Sequence, residues 1–172
     1  IYCEKYADET ELMLQKNNMS EAEREEFLDR FSEESDRTLV AFGIMGGIFG
    51  EGIDLKNDRL IGAIVVGTGL PQVGQEREIL RQYFETHSGE GFDYAENGCG
   101  FDYAFRYPGI NKVLQAAGRV IRTTEDTGVI LLLDERFWQR EYDLLYPREW
   151  NDRKPCNIAN VGKLVADFWE QI

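Results

Sequence analysis

Apolar and polar positions along this chain fall into two regimes. Three short runs are almost continuously apolar: Leu39 to Met45 (LVAFGIM), Ile61 to Val66 (IGAIVV) and Val129 to Leu133 (VILLL). Runs of this length without alternation are how strands covered on both faces of a parallel sheet read. Around them the spacing turns helical. Ser20 and Glu23 form a capping box ahead of Phe27, Leu28 and Phe31, which share one face, so a helix begins at Ser20. Further helices are expected through Gln75 to Glu85, Asn111 to Arg122 and Val161 to Trp169. Strands alternating with helices predict an α/β layered domain built on a mainly parallel sheet flanked by helices.

The helix expected at Asn111 to Arg122 has a distinctive polar side. At roughly 100° per residue, Val113, Leu114, Ala117, Val120 and Ile121 form one face and Gln115, Gly118, Arg119 and Arg122 the opposite one. Guanidinium forks match phosphate oxygens, and an adjacent glycine permits close approach, so the stripe suits an anion. A solvated helix face is the plainer alternative. Residues 86–107 are Gly-rich and aromatic, contain FDYA twice (Phe92 to Ala95 and Phe101 to Ala104), and read as a loop insertion. Tyr146 to Asn157 holds two prolines and reads as a connector to the last helix.

At 172 residues and 42% hydrophobic, the chain has enough apolar material for one well-cored domain, so residues 1–172 are expected to form a single one. No apolar run approaches the ~18 residues of a membrane span, and the start IYCEKYADET resembles no secretion signal. A cytoplasmic protein without a membrane partner is therefore expected. Cys3, Cys99 and Cys156 lie far apart, with His87 the sole histidine, which argues against a zinc site or disulfide framework. The ETHSGEG context of His87 reads as a helix end, a poor place for a catalytic base.

The formal charge of −13 argues at first against nucleic acid, whose affinity comes largely from basic contacts to phosphate. Its distribution weakens the objection. Residues 1–37, an acidic leading segment expected on the outside, carry 12 acidic and 5 basic side chains, whereas residues 105–154 carry 8 and 9.

Two glycine-rich loops follow strands, where ligands gather in parallel sheets. After the first run comes GGIFGEGIDL, Gly46 to Leu55, with Gly50, Glu51, Gly52 and Asp54; its spacing is not that of a dinucleotide fold. After the second comes GTGLPQ, Gly67 to Gln72, whose hydroxyl and main-chain amides suit a phosphodiester backbone. Either could also be a simple turn. No G-x-x-x-x-G-K-[ST] occurs, so the chain cannot cradle a triphosphate alone. Asp134 and Glu135 in VILLLDER imitate a magnesium-binding strand end; without a phosphate loop they are expected to cap or pair locally. Arg77 and Arg81 interleave with Glu76, Glu78 and Glu85, which reads as a salt-bridged surface.

Taken together, the acidic Gly-rich loop, the GTGLP loop and QAAGRVIR followed by TTEDTGVILLLDERF resemble motifs V, Va and VI of superfamily-two helicases of the XPD/DinG type. The similarity runs from about Met19 to Trp150 and points to the second, C-terminal RecA-like motor domain. The resemblance implies an ATP-dependent DNA helicase in which the first motor domain holds most of ATP and Mg²⁺. It implies that Arg122 is the arginine finger, with Arg119 beside it and Gln115 ordering the same network, while Gly118 allows close packing. Gly50, Glu51, Gly52 and Asp54 would sense nucleotide and couple it to the DNA-facing loop, and Thr68, Gly69, Leu70 and Pro71 would touch single-stranded DNA. Gly50 stands where many relatives have Ser, which removes a hydroxyl there. The implied partners are single-stranded DNA and the N-terminal motor domain of the same chain, which is absent here along with any iron–sulfur cluster it carries. Two alternatives remain: a degenerate helicase-like module binding nucleic acid or protein without ATPase activity, and a flavodoxin-like domain binding a free nucleotide or flavin.

Overall fold

The computed structural model describes Tyr6 and residues 8–32, 35–47, 60–87 and 99–172. Their packing divides at residue 133 into two units, 1–133 and 134–172.

In the first unit, β1 (Thr10–Leu14) pairs in parallel with β2 (Thr38–Phe42), Thr10 opposite Thr38 and Leu14 opposite Phe42. β1 was not expected from the pattern, because TELML mixes a carboxylate and a hydroxyl with its apolar positions. Glu11 is accommodated by ion pairs from Arg30 and, at 3.8 Å, Arg37. Between the two strands lies α1 (Glu21–Asp29), with its capping box in place. The Ser20 N–H donates to the Glu23 carboxylate at 2.8 Å, and the Glu23 N–H donates to Ser20 Oγ at 3.3 Å. α1 buries Phe27, whose ring lies 6.1 Å from Phe31 in the short 3₁₀ turn that follows. The leading segment expected as an outer acidic piece thus supplies a strand and a packed helix.

A second ladder pairs β3 (Gly62–Val66) with β4 (Val129–Leu133), also in parallel, Gly62 opposite Val129 and Val66 opposite Leu133. Gly67 extends it by donating to the Leu133 carbonyl at 3.2 Å. Among the described residues the four strands form these two ladders. All strand pairs are parallel and interspersed with helices, the α/β layered type expected. One detail differs. β3 was expected to be covered on both faces, yet while Val65 is buried, Ile64 and Val66 are 64% and 72% exposed.

α2 (Gln75–Thr86) follows the β3 loop and carries the salt-bridged surface read from its sequence: Arg81 makes three hydrogen bonds to the Glu78 carboxylate, at 2.7, 3.0 and 3.2 Å. Those bonds, with one from Gln82, hold the Glu78 carboxyl down at about 2. His87 stands at its C-terminus, where its N–H donates to Tyr83 O. The end of the stretch expected as a loop at 86–107 is instead helical, a π-helical segment over Asp102–Arg106 running directly into α3 (Tyr107–Ala117). The irregularity has a local cause. Pro108 has no N–H to give the Ala104 carbonyl four residues back, and Arg77 reaches that carbonyl from α2 at 3.4 Å. Phe84 stacks on Tyr103 at 4.3 Å, fixing α2 against the π-helical segment.

The second unit contains 3₁₀ turns at Glu135–Trp138 and Arg148–Trp150, a single helical turn α4 (Arg140–Asp143), and α5 (Val161–Trp169). Phe137 and Tyr142 are its buried residues, and the Tyr146 hydroxyl donates to the Phe137 carbonyl at 2.9 Å. Burial pushes the Tyr146 phenol up to about 12. Arg153 lies over the Tyr146 and Trp138 rings, 4.7 and 5.7 Å from their centroids, and pairs with Asp143. Asp134 caps the first 3₁₀ turn and pairs with Arg136 at 2.7 Å, the local role expected for it. No described helix is long and apolar enough to cross a membrane.

Candidate functional site

α3 organises the candidate site. Ile110, Val113 and Ala117 repeat at three- and four-residue spacing and are all buried, which anchors one side of the helix in the core of the first unit. Gln115 is on its exposed side, in the last turn. The helix stops at Ala117, five residues earlier than the sequence pattern implies. Gly118 donates to the Leu114 carbonyl at 2.8 Å, and Arg119 and Val120 then donate to Ala116 and Ala117 at 3.2 and 3.0 Å, tightening the chain into a turn.

The polar stripe is therefore corrected. Gln115 is helical, Arg119 belongs to a turn and Arg122 lies in an irregular segment beyond it, so the three are consecutive stations along a bend and not one helix face. The apolar period misled because Val120, buried in the turn, continues the helical spacing after the helix has ended. Gly118 is exposed, and a methyl group added there meets only the carbonyls of its own helix, nearest Leu114 O at 3.2 Å.

The segment after the turn is clamped by a residue the sequence reading passed over. Asp126 Oδ2 accepts from the N–H groups of Arg122 and Thr123 at 2.9 and 2.7 Å, and Glu125 donates to Thr123 Oγ1 at 3.2 Å. Those two backbone bonds, that to Arg122 first, hold the Asp126 carboxyl below its ordinary value of 3.8. The main chain at Arg122 is thus fixed, while its side chain, like that of Arg119, is half-buried. A TTEDTG sequence carried the signal, since Asp and Thr close turns with their own main chain.

The GTGLP loop meets α3 at its other end. Gly67 and Gly69 adopt φ of +81° and +68°, and Thr68 between them is 1% exposed. Its Oγ1 finds no hydrogen-bond partner among the described residues. Gly69 lies against the carbonyl of Gly109, and Gly109 against the carbonyl of Thr68, each so closely that an added Cβ would sit 2.7 Å from the oxygen. Leu70 and Pro71 are half-buried beside them. The loop after β2 also comes near α3, where the Lys112 side chain lies over Gly46. Gln15 Oε1 accepts from the Ile44 N–H at 2.7 Å, tying that loop to the end of β1. Gly50, Glu51, Gly52 and Asp54 lie outside the described residues.

The structure thus gathers Thr68, Gly69 and Leu70 onto the start of α3 and Gln115, Gly118, Arg119 and Arg122 around its end. Gly109 is the residue through which the first group touches the helix. A Pro-Gly pair inside an otherwise helical apolar pattern was the available sign of it.

The family model described as "Helicase C-terminal domain" matches residues 2–153. The chain is 31% identical over 148 residues to the ATP-dependent DNA helicase XPD of Sulfolobus acidocaldarius, covering 84% of this chain and 24% of that protein. It is 33% identical over 131 residues to the human regulator of telomere elongation helicase 1, covering 69% of this chain and 10% of that protein. The homolog of that regulator in Caenorhabditis briggsae is 26% identical over 141 residues, covering 81% and 14%. The chain therefore spans at most about a quarter of the length of these curated relatives.

Proposed function

The chain belongs to the helicase C-terminal domain family, and from that premise we propose that it is the second motor half of an ATP-dependent DNA helicase, completing the nucleotide site of a first half and contacting single-stranded DNA. The absence of any phosphate loop in the sequence agrees with a split site. ATP with Mg²⁺, held mainly by the other half, supplies the phosphoryl group whose transfer drives the motor. The residues of this chain that suit its terminal phosphate are Arg122, Arg119 and Gln115, two fixed cations and an amide.

The observation that carries the reading is the Asp126 clamp. A cation stabilises the spread charge of a phosphoryl-transfer transition state best when it needs no reorganisation, and the main chain of Arg122 is held by the 2.9 Å bond from its own N–H. Arg122 is the arginine finger in this proposal. Arg119 stands beside it, Gln115 orders both, and Gly118 leaves the bend open to a neighbouring surface. Gly50, Glu51, Gly52 and Asp54 couple nucleotide to the DNA-facing loop. Thr68, Gly69, Leu70 and Pro71 contact the DNA through their main chain, since the Thr68 side chain is buried.

In the full-length protein, Arg122→Ala is expected to leave ATP binding within a few-fold of the parent while DNA-stimulated hydrolysis falls by ~10³ or more. Equilibrium nucleotide binding and steady-state ATPase assays with and without single-stranded DNA measure the two. Hydrolysis at the parental rate would overturn the motor reading and leave a module that binds nucleic acid or protein without ATPase activity.

A further inference from the structure

We infer that Gly109 is a positioning residue: its main-chain contact with Thr68 and Gly69 is the mechanical link through which the DNA-facing loop sets the position of α3 and of the arginine-bearing bend at its end. The inference rests on the motor reading above.

The contact is between backbones. An added Cβ at Gly109 would lie 2.7 Å from the Thr68 carbonyl oxygen and 3.2 Å from both the Leu70 nitrogen and Leu70 Cδ2. From the other side, a Cβ at Gly69 would lie 2.7 Å from the Gly109 carbonyl oxygen. The nearest obstruction on each side is main chain, so no flexible side chain can swing away to absorb a displacement. A movement of one segment is handed directly to the other.

What lies beyond Gly109 is stiff. Ile110, Val113 and Ala117 are at most 2% exposed, so the helix turns and shifts as one body with its packing. Gly109 and Gln115 are six residues apart, about 9 Å along the axis at 1.5 Å per residue. At the far end Val120 is packed so closely on Gly128 that an added Cβ there would lie 2.3 Å from Val120 Cγ1. Push at the loop therefore arrives at the bend instead of dissipating in a mobile connection.

The docked loop also has a reason to move. The Thr68 hydroxyl is buried without a hydrogen-bond partner among the described residues, a state that costs free energy which a small displacement can recover. Nucleic acid that draws the loop outward works with that strain and pulls on α3 through Gly109.

The test uses the full-length protein and four variants, with thermal melting, affinity for a labelled oligo-dT, and ATPase rates with and without that oligonucleotide. Gly109→Ala is expected to lower the ratio of DNA-stimulated to basal hydrolysis by about tenfold. Ser20→Ala, which removes the cap of α1 and leaves the loop and α3 untouched, is expected to lower the melting temperature and keep the ratio. An unchanged ratio in folded Gly109→Ala overturns the inference, and so does an equal fall in Ser20→Ala, which would reduce the effect to lost stability. Should Gly109→Ala fail to fold, Gly69→Ala presses on the Gly109 carbonyl from the loop side, and its ratio is judged the same way at saturating oligonucleotide, so that a weakened DNA contact does not count. Arg122→Ala separates the two levels. If it abolishes stimulated hydrolysis while Gly109→Ala retains it, the coupling fails and the motor reading stands; if it retains hydrolysis, the motor reading itself fails.

Discussion

At the scale of single residues, Asp126 fixes the main chain at Arg122, the arginine finger of the proposed motor. Its two backbone bonds define where the irregular segment leaves the turn, and a shift of about 1 Å at a catalytic group can cost on the order of 10²-fold in rate. Asp126→Ala in the full-length protein is accordingly expected to reduce the stimulated turnover number by about one to two orders of magnitude with little change in KM for ATP, the signature of an interaction made in the transition state. Asp126→Asn retains an oxygen acceptor and should recover part of the loss. The clamp also titrates. The folded carboxyl lies below its ordinary 3.8, so its contribution is complete above that value and is lost as pH falls through the lowered one. Protection factors for amide exchange at Arg122 and Thr123, measured by NMR from neutral pH downward, should therefore hold as pH falls through the ordinary 3.8 and drop only below it.

At the scale of elements, the ends of helices explain both what the sequence made legible and what it concealed. The Ser20 to Glu23 capping box satisfies two donors of α1 by purely local chemistry, so four residues of sequence sufficed to find that helix. Ser20→Ala should destabilise the first unit by about 1 kcal/mol, read as a shift of the urea midpoint at constant slope. α5, Val161–Trp169, was legible to the residue for a similar reason: its apolar period is uninterrupted within the element. β2, β3 and β4 followed from their β-branched and aliphatic runs. β1 did not, because its place is fixed by pairing with β2 and by the Arg30 and Arg37 charges that meet Glu11, and none of these is local in sequence. The start and end of α3 were hidden by two opposite effects. The Gly-rich, aromatic stretch 86–107 read as loop, though its end at Asp102–Arg106 is helical and an arginine from α2 supplies the donor that Pro108 lacks. Val120 reads as helix, though it is buried in a turn. Of the proposed site, Gln115, Arg119 and Arg122 were named from the sequence. Their geometry was not, since it depends on Asp126 four residues downstream of Arg122.

At the scale of the whole chain, the exposed faces of the strands conflict with the composition of the strands. GAIVV and VILLL are apolar at nearly every position, the pattern of strands covered on both sides, yet only one face of β3 is covered. Ile64 and Val66 point away from the buried Val65 and are 64% and 72% exposed, with Leu133, opposite Val66, 49% exposed. Leu14 and Phe42, opposite one another in the other ladder, are 65% and 56% exposed. Contiguous apolar strand surface of this kind attracts other apolar surface, at a gain of about 25 cal/mol for each Å² removed from water. The formal charge of −13 opposes association only at long range and is screened within about 8 Å at physiological ionic strength. The 172-residue chain on its own is therefore expected to bind the dye ANS while folded and to self-associate more strongly as salt is raised, measured by light scattering. Replacing both Ile64 and Val66 with Thr keeps β-branched strand formers, exchanges an ethyl group of the first and a methyl group of the second for a hydroxyl, and leaves Val65 in the core. Dye binding and association should both fall in that double variant with the melting temperature nearly unchanged. A steep loss of melting temperature would mean that these two side chains are packed in solution, and that the uncovered face belongs to neither the folded chain nor its associations.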